Sequence, residues 1–416
     1  MEKREMKPSG IEWIGEVPSH WEYIRLKAYY NFEKGKNAQK YTIDYIGKNE
    51  GTYPVYSGQT ENDGIMGMVN SYDYDLEECL FSTTVGAKVM TPKILRGRFC
   101  LSQNCLIMTQ KKECDNRYMY YYLHPLFDYE KKSIPSYMQP SLRVEDLKKF
   151  GFYIPCIQEQ KSIADFLDPR CAEIDALVSD IQSQIDTLEQ YKRSVITETV
   201  TKGLNPDVAM KDSGIEWVGE VPEHWNCIRG KYLLKYIQKP VKDTDGVITC
   251  FRDGEVTLRS NRREDGFTMA DKEIGYQGID IGDLVVHGMD GFAGAIGISD
   301  SRGKASPVLN VLDTAENKKY IMYYLRSMAY NDVFTALATG IRVRSCDLRW
   351  NKLAELPYPV PTLEEQNAIV EHIDSAIEQA NALIADKKQQ LETLDQYKKS
   401  LIFEYVTGKK QVKGEV

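Results

Sequence analysis

The sequence predicts an α+β protein with an internal pseudo-twofold repeat: two similar globular modules joined by two long antiparallel coiled-coil helices. Three observations carry this. A helix-like stretch runs from about 159 to 201 and again from about 365 to 407, at a constant offset of 206 positions. A tryptophan-rich opening occurs ahead of each copy. Between opening and helix lie two regions of similar element order and dissimilar sequence.

The helical repeat holds without a gap. Pro155 matches Pro361, Glu159-Gln160 matches Glu365-Gln366, Ile163 matches Ile369, and Gln190-Tyr191-Lys192 matches Gln396-Tyr397-Lys398. Neither copy contains glycine, and apolar residues recur at three- and four-residue steps. In the first copy Ile174, Leu177, Ile181, Leu188, Tyr191 and Val195 form the expected stripe, with Ile185 beside it, a coiled-coil spacing. Gln184 on that stripe, and Lys387 and Gln390 near its counterpart, point to a packed helix pair rather than a strict zipper. At ~1.5 Å per residue each helix spans roughly 60 Å, longer than a small domain is wide, so it reads as a spacer. Pro169 predicts a break near Asp168.

The openings read MKPSGIEWIGEVPSHWEYIRLK from Met6 and MKDSGIEWVGEVPEHWNCIRGK from Met210, identical at 16 of 22 positions. Paired glycines, a proline and two tryptophans in each (Trp13 and Trp21, Trp217 and Trp225) predict a fixed, non-helical segment docked by its rings. His20 and His224 recur without a duplicated Ser, Cys or Asp to make a triad, so they read as structural or partner-contact residues. Short β-like runs follow: 51–56, 64–69, 79–82 and 105–108 in the first region, 246–251, 283–286 and 294–298 in the second. A tyrosine-rich helix then comes at the same place in each, around Tyr118–Leu123 and Tyr320–Leu325, expected to plug the module's core. The chain divides into 1–155 and 207–359, the globular modules, and 156–206 and 360–416, the spacer helices with the C-terminal tail.

The net charge is −8, but it is unevenly spread. Residues 22–154 carry 18 Lys/Arg against 16 Asp/Glu, and residues 226–358 carry 19 against 17. Both globular regions are therefore mildly basic, and the excess acid lies in the helices and joins. If such modules bind DNA, strong binding needs positive charge from partners. Nine cysteines include no CxxC pair, which argues against a disulfide framework or zinc ribbon and for a reducing, cytoplasmic setting. The first residues, Met1 to Lys7, do not read as a signal peptide, and no run of 18 apolar residues occurs, so no membrane span is expected. The chain has no phosphate-binding P-loop, no HExxH and no other metal spacing; Gly288, Gly291, Gly294 and Gly297 read as tight turns between strands.

The Gly-Ile-Glu-Trp and Pro-x-His-Trp opening, a variable region, a proline followed by Glu-Gln at a helix start, and a long helix, all given twice, resemble the specificity subunit of Type I restriction–modification enzymes. The resemblance spans essentially the whole chain. It implies a non-catalytic DNA-recognition subunit with two target-recognition domains, 1–155 and 207–359, each reading half of a bipartite site. It implies a coiled coil that sets the spacing, and two methyltransferase (modification) subunits docked on the shared segments, with restriction/translocase subunits beyond. S-adenosylmethionine and ATP with Mg would belong to those partners, and no cofactor to this chain.

Base edges are read best by Arg, Lys, Asn and Gln on exposed loops. The candidates in the first module are Lys36, Asn37, Gln39, Lys40, Gln59, Asn62, Thr84, Lys88, Gln103, Asn104, Tyr137 and Gln139. In the second they are Arg259, Asn261, Arg262, Arg263, Arg302, Lys304, Arg342 and Arg344. Trp13, His20, Trp21 and Gln160, with Trp217, His224, Trp225 and Gln366, are the candidates for partner docking because they recur with the frame. Two other readings stand beside this one: an enzyme with an unrecognised site, discriminated by turnover of the isolated chain, and a coiled-coil adaptor that binds proteins alone, excluded by sequence-dependent DNA protection.

Overall fold

Both spacer helices form, as Ile157–Lys202 and Leu363–Val406, in a computed structural model that describes residues 4–59, 62–86, 89–135, 137–262, 273–337 and 348–412. The chain divides into two units: unit 1 is residues 1–181 with 389–416, and unit 2 is residues 182–388. Each unit thus holds one globular module, the start of its own spacer helix and the end of the other.

Within each unit the two helix segments run antiparallel. In unit 1 Phe166 packs on Tyr405 with ring centroids 4.3 Å apart, and Lys398 Nζ donates to Asp175 at 2.6 Å. In unit 2 Ile196 and Val200 share a core with Ile369 and Ile373, and Lys387 Nζ donates to Gln184 Oε1. The seam of the first helix differs from the expected stripe. Cys171, Ile174 and Ile185 are buried and Val178, Ile181 and Leu188 half-buried, whereas Leu177 and Tyr191 are 48% and 50% exposed. A seam that advances 3.5 residues per turn passes through 171, 178 and 185, and Leu177 and Tyr191 stand one step off it. Pro169 does not break the helix. The carbonyl deprived of its N–H belongs to Asp165, an exposed residue where water can substitute.

Unit 1 is built on a six-stranded sheet in the order Tyr30–Lys34, Cys105–Gln110, Tyr74–Thr83, Pro92–Leu101, Glu50–Tyr56, Ile65–Val69. All neighbours are antiparallel except Glu50–Tyr56 beside Pro92–Leu101. Unit 2 has a four-stranded antiparallel sheet, Leu234–Ile237, Leu309–Thr314, Leu284–His287, Ile296–Ile298, and two separate two-stranded ladders. The expected β-like runs all contain strand. Of the glycines expected in turns, Gly288, Gly291 and Gly294 do lie between the strands Leu284–His287 and Ile296–Ile298, with Gly294 at φ +94°, whereas Gly297 lies within the second of those strands.

The frame around these different sheets is the same. Met6–Pro8 pairs with Glu16–Pro18 as Met210–Ile215 pairs with Gly219–Pro222, in equal register. Glu22–Arg25 pairs with Gly151–Ile154 as Asn226–Arg229 pairs with Pro357–Val360. The tyrosine helices, Asn116–Ser133 and Lys318–Tyr330, plug their cores as expected, with Tyr118, Tyr122, Tyr320 and Tyr324 buried. Tyr118 Oη donates to the Val406 carbonyl at 3.2 Å, and Tyr320 Oη is shared between the Pro359 carbonyl at 2.9 Å and the Val200 carbonyl at 3.2 Å. The last turns of the spacer helices lack intrahelical donors for these carbonyls, and a buried tyrosine supplies one. Glycine then lets the chain leave each helix: Gly203 and Gly408 stand at φ +75° and +72°.

Gly408 is also tightly enclosed, because a Cβ there would press into the Pro18 ring and the Trp21 indole. Gly10 has a similar φ of +71° and nothing within 4 Å of such a Cβ. We expect Gly10→Ala to cost about 1 kcal/mol and Gly408→Ala roughly 2–4 kcal/mol, the excess being overpacking. Denaturant unfolding of the two variants measures the difference.

Candidate nucleic-acid interface and its duplicated frame

The first element of the site is the helix start. Glu159 and Glu365 accept hydrogen bonds from the indole N–H groups of Trp21 at 3.2 Å and Trp225 at 3.0 Å. The other oxygen of each carboxylate lies 3.0 Å from a histidine Nε2, His20 or His224. Arg4 adds a further ion pair to Glu159. The next residue ties down the tyrosine helix. Gln160 Oε1 accepts from the Asp115 N–H at 3.0 Å and its amide donates to the Pro155 carbonyl at 2.9 Å. Gln366 does the same with Asn317 at 2.9 Å and Pro361 at 3.0 Å. Asp115 and Asn317 are themselves the N-caps of the tyrosine helices, accepting from Arg117 and Tyr118 and from Lys319 and Tyr320. One turn on, Tyr121 donates to Asp168 at 2.8 Å and Tyr323 to Asp374 at 2.5 Å.

Four of the residues expected to dock a partner therefore have an internal task. Trp21, Trp225, Gln160 and Gln366 are buried, and their polar atoms are spent inside their own unit. His20 and His224 are exposed, and Trp13 and Trp217 half-buried. Each of those tryptophans lines a groove with the end of a spacer helix. In unit 1 the groove is about 490 Å³, with Ile402, Phe403 and His124. Its counterpart in unit 2 is about 370 Å³, with Arg193, Thr197 and Tyr330.

The variable loops form the second element. In unit 1 Lys36, Asn37, Gln39, Lys40, Thr84, Gln103 and Asn104 line one groove of about 640 Å³. Strand pairing brings them together: Lys34 is in register with Leu106, so the loop after the first strand lies beside the turn before the second. Among the described residues no carboxylate lines this groove. Lys36 and Lys40 stand over tyrosine faces, 4.6 Å from the centre of Tyr74 and 4.7 Å from that of Tyr45. Tyr137 and Gln139 are exposed on a loop anchored to Thr84 by Leu142, whose N–H donates to the Thr84 carbonyl at 2.8 Å. Gln59 and Asn62 lie elsewhere, both amides donating to the Ile65 carbonyl.

In unit 2 Arg259 and Arg262 line a groove of about 520 Å³ with Arg252 and His287. Its guanidiniums are held: Arg252 by Asp290 at 2.9 Å, Arg262 by Glu255 at 3.0 Å and Asp253 at 2.5 Å, and Arg259 by Thr249 at 3.3 Å. Asn261 donates to Thr257 at 2.9 Å. Arg302 and Lys304 are not in that groove. Arg302 braces Asp245 at 2.9 Å and Asp280 at 2.5 Å, and Lys304 pairs with Glu273 at 2.6 Å. Lys239 and Arg302 together pull the Asp280 carboxyl down to about 2. Lys88, Arg263, Arg342 and Arg344 lie outside the described residues. Sequence reasoning missed Glu159 and Glu365 as anchors, and Arg252 and His287 as groove residues. The duplication of Glu159 was visible, but its partners were not.

A repeated frame thus carries two chemically different grooves, one in each unit. Comparison with known proteins shows what the chain resembles. Residues 18–187 match the family described as Type I restriction modification DNA specificity domain. The chain is 25% identical to the Type I restriction enzyme MjaVIII specificity subunit of Methanocaldococcus jannaschii, covering 96% of this chain and 95% of that protein. It is 24% identical to the putative type I restriction enzyme MjaX specificity subunit of the same organism, covering 96% of each. A chain from a structural study of type I R-M complex assembly and conformational transition shares the fold, with a TM-score of 0.63, 11% identity and coverage of 94% of this chain and 99% of that one. Residues 18–187 thus match a Type I restriction–modification DNA specificity domain, and the chain is similar over nearly its whole length to Type I specificity subunits.

One ring in the unit 1 groove gives the chain a pH dependence. Burial, then Lys398, pushes His124 down to about 4 from an ordinary 6.5, and its Nε2 is buried with no hydrogen-bond partner among the described residues. The folded state keeps the ring neutral while the unfolded chain protonates it below pH 6.5. Its contribution is therefore complete above that pH and is lost as pH falls towards 4, roughly 3 kcal/mol in all. Unfolding free energies of the His124→Phe variant should fall less steeply than those of the parent between pH 6.5 and 4.

Proposed function

We propose that each unit reads one half of a bipartite DNA site, and that the spacer helices fix the separation of the halves. The target-recognition domains are 1–155 and 207–359, joined by the helices in 156–206 and 360–416. The observation that carries this is the unit 1 groove. Seven residues of base- or phosphate-contacting type converge there, and among the described residues no carboxylate lines the groove to repel a phosphate backbone. Around it the frame is repeated in unit 2, while the loops are not.

The paired grooves at Trp13 and Trp217 support docking of two copies of one partner, the modification subunit. His20 and His224 extend those surfaces. Restriction/translocase subunits join that complex, and S-adenosylmethionine, ATP and Mg are bound by the partners. No helix among the described residues is long and apolar enough to cross a membrane, which suits work on cytoplasmic DNA.

Single-molecule sequencing of host DNA for N6-methyladenine, with and without this gene, tests the reading. Methylation at one bipartite motif should vanish with the gene. An unchanged methylome, together with no methyltransferase co-purifying with the chain, would leave a protein-binding adaptor in its place.

A further inference from the structure

The reading surface of unit 1 has a composition that selects among base pairs. Gln39, Gln103 and Asn104 are exposed on the groove, and none of their carboxamides has a hydrogen-bond partner among the described residues. Asn104 is held at φ +67° in the turn between the strands Pro92–Leu101 and Cys105–Gln110, and its carbonyl accepts from the Thr84 N–H at 2.8 Å. That bond fixes the turn and leaves the Gln103 and Asn104 side chains to the groove. Asn37 differs, its amide donating to Asp73 at 2.6 Å.

A carboxamide offers one donor and one acceptor side by side. That pair matches the N6 amino group and N7 of adenine in the major groove; guanine presents two acceptors there, which suit Arg or Lys, and cytosine a donor, which suits a carboxylate. Among the described residues the groove has no arginine and no carboxylate on its lining. Its cations include Lys36 and Lys40, which rest on the rings of Tyr74 and Tyr45 and suit phosphates at the rim. The unit 2 groove has the opposite equipment, arginines and carboxylates, which suit G·C pairs.

We propose that unit 1 reads an A·T pair in its half-site through the carboxamides of Gln103 and Asn104, and that these two residues set the base identity there. This rests on the reading of the chain as a specificity subunit. A glutamine or asparagine that specifies adenine in this way loses roughly 5- to 150-fold in discrimination when truncated.

The test is the methylome of a host expressing the full chain with its modification subunits, as the parent, Gln103→Ala and Asn104→Gly. Glycine keeps the left-handed turn while removing the amide, so folding is preserved. The expected result is a parent motif in which one half-site relaxes at an A·T position in at least one variant, by the factor above, while the other half-site is unchanged. Gln103→Arg is then expected to favour G·C at the relaxed position. Relaxation at a G·C position, equal weakening on all sequences, or an unaltered motif in both truncations would overturn the proposal and leave the specificity reading intact. Absence of any motif that depends on the parent chain would overturn both.

Discussion

The carboxylate at the start of each spacer helix is the contact on which the architecture depends. Glu159 and Glu365 each hold an indole N–H of an almost fully buried tryptophan. Burying such a ring withdraws roughly 200 Å² from water, on the order of 5 kcal/mol, provided the N–H finds an acceptor. The following glutamine then clamps the cap of the tyrosine helix. A tyrosine from that helix closes the end of the other spacer helix. Two adjacent residues thus fix the opening segment and the core helix against the spacer, and the tyrosine adds the returning helix.

This arrangement separates constancy from variation. Every residue of the clamp lies in the repeated segments or at the start of the tyrosine helix. The strands that carry the grooves meet the clamp at that helix, in unit 1 through Tyr30 Oη, which donates to Asn116 at 2.8 Å. A six-stranded sheet and a four-stranded one can therefore sit in the same frame. One groove presents the amides of Gln39, Gln103 and Asn104 with lysines resting on tyrosine rings, the other arginines of which Arg252 and Arg262 are paired with carboxylates. The paired arginines raise the cost of phosphate contact in unit 2, since each must exchange a carboxylate for a phosphate, and they restrict it to geometry that offers a better acceptor.

Much of the frame was legible in the sequence because a constant offset needs no knowledge of energy. The helices follow from an offset of 206, and the openings and tyrosine plugs from the same order of segments at offsets of 204 and 202. The phase of the helix seam was not, since Leu177 and Tyr191 are apolar yet stand off a 3.5-residue seam. Pro169 misled because the carbonyl it leaves without an N–H belongs to an exposed residue, Asp165. The caps Asp115 and Asn317, each just ahead of a tyrosine-rich run, were readable signals. The tyrosine bonds to Val406 and Val200 were not, because they join residues 288 and 120 positions apart. In the site, Lys36, Asn37, Gln39 and Lys40 were legible as loop residues, as were Gln103 and Asn104. Their convergence required the pairing of strands 30–34 and 105–110. Arg302 looked free because Asp245 and Asp280 are distant in sequence.

Hydrogen–deuterium exchange of the Glu159→Ala and Glu365→Ala chains, read peptide by peptide, tests the role of the carboxylate most directly. Each change leaves a buried indole N–H without its acceptor, a cost of about 1–3 kcal/mol. The expected result is faster exchange in the opening segment and the start of the tyrosine helix of the altered unit, with the other unit unchanged. Retained protection in those segments would contradict the account and move the anchoring of the frame to apolar packing alone.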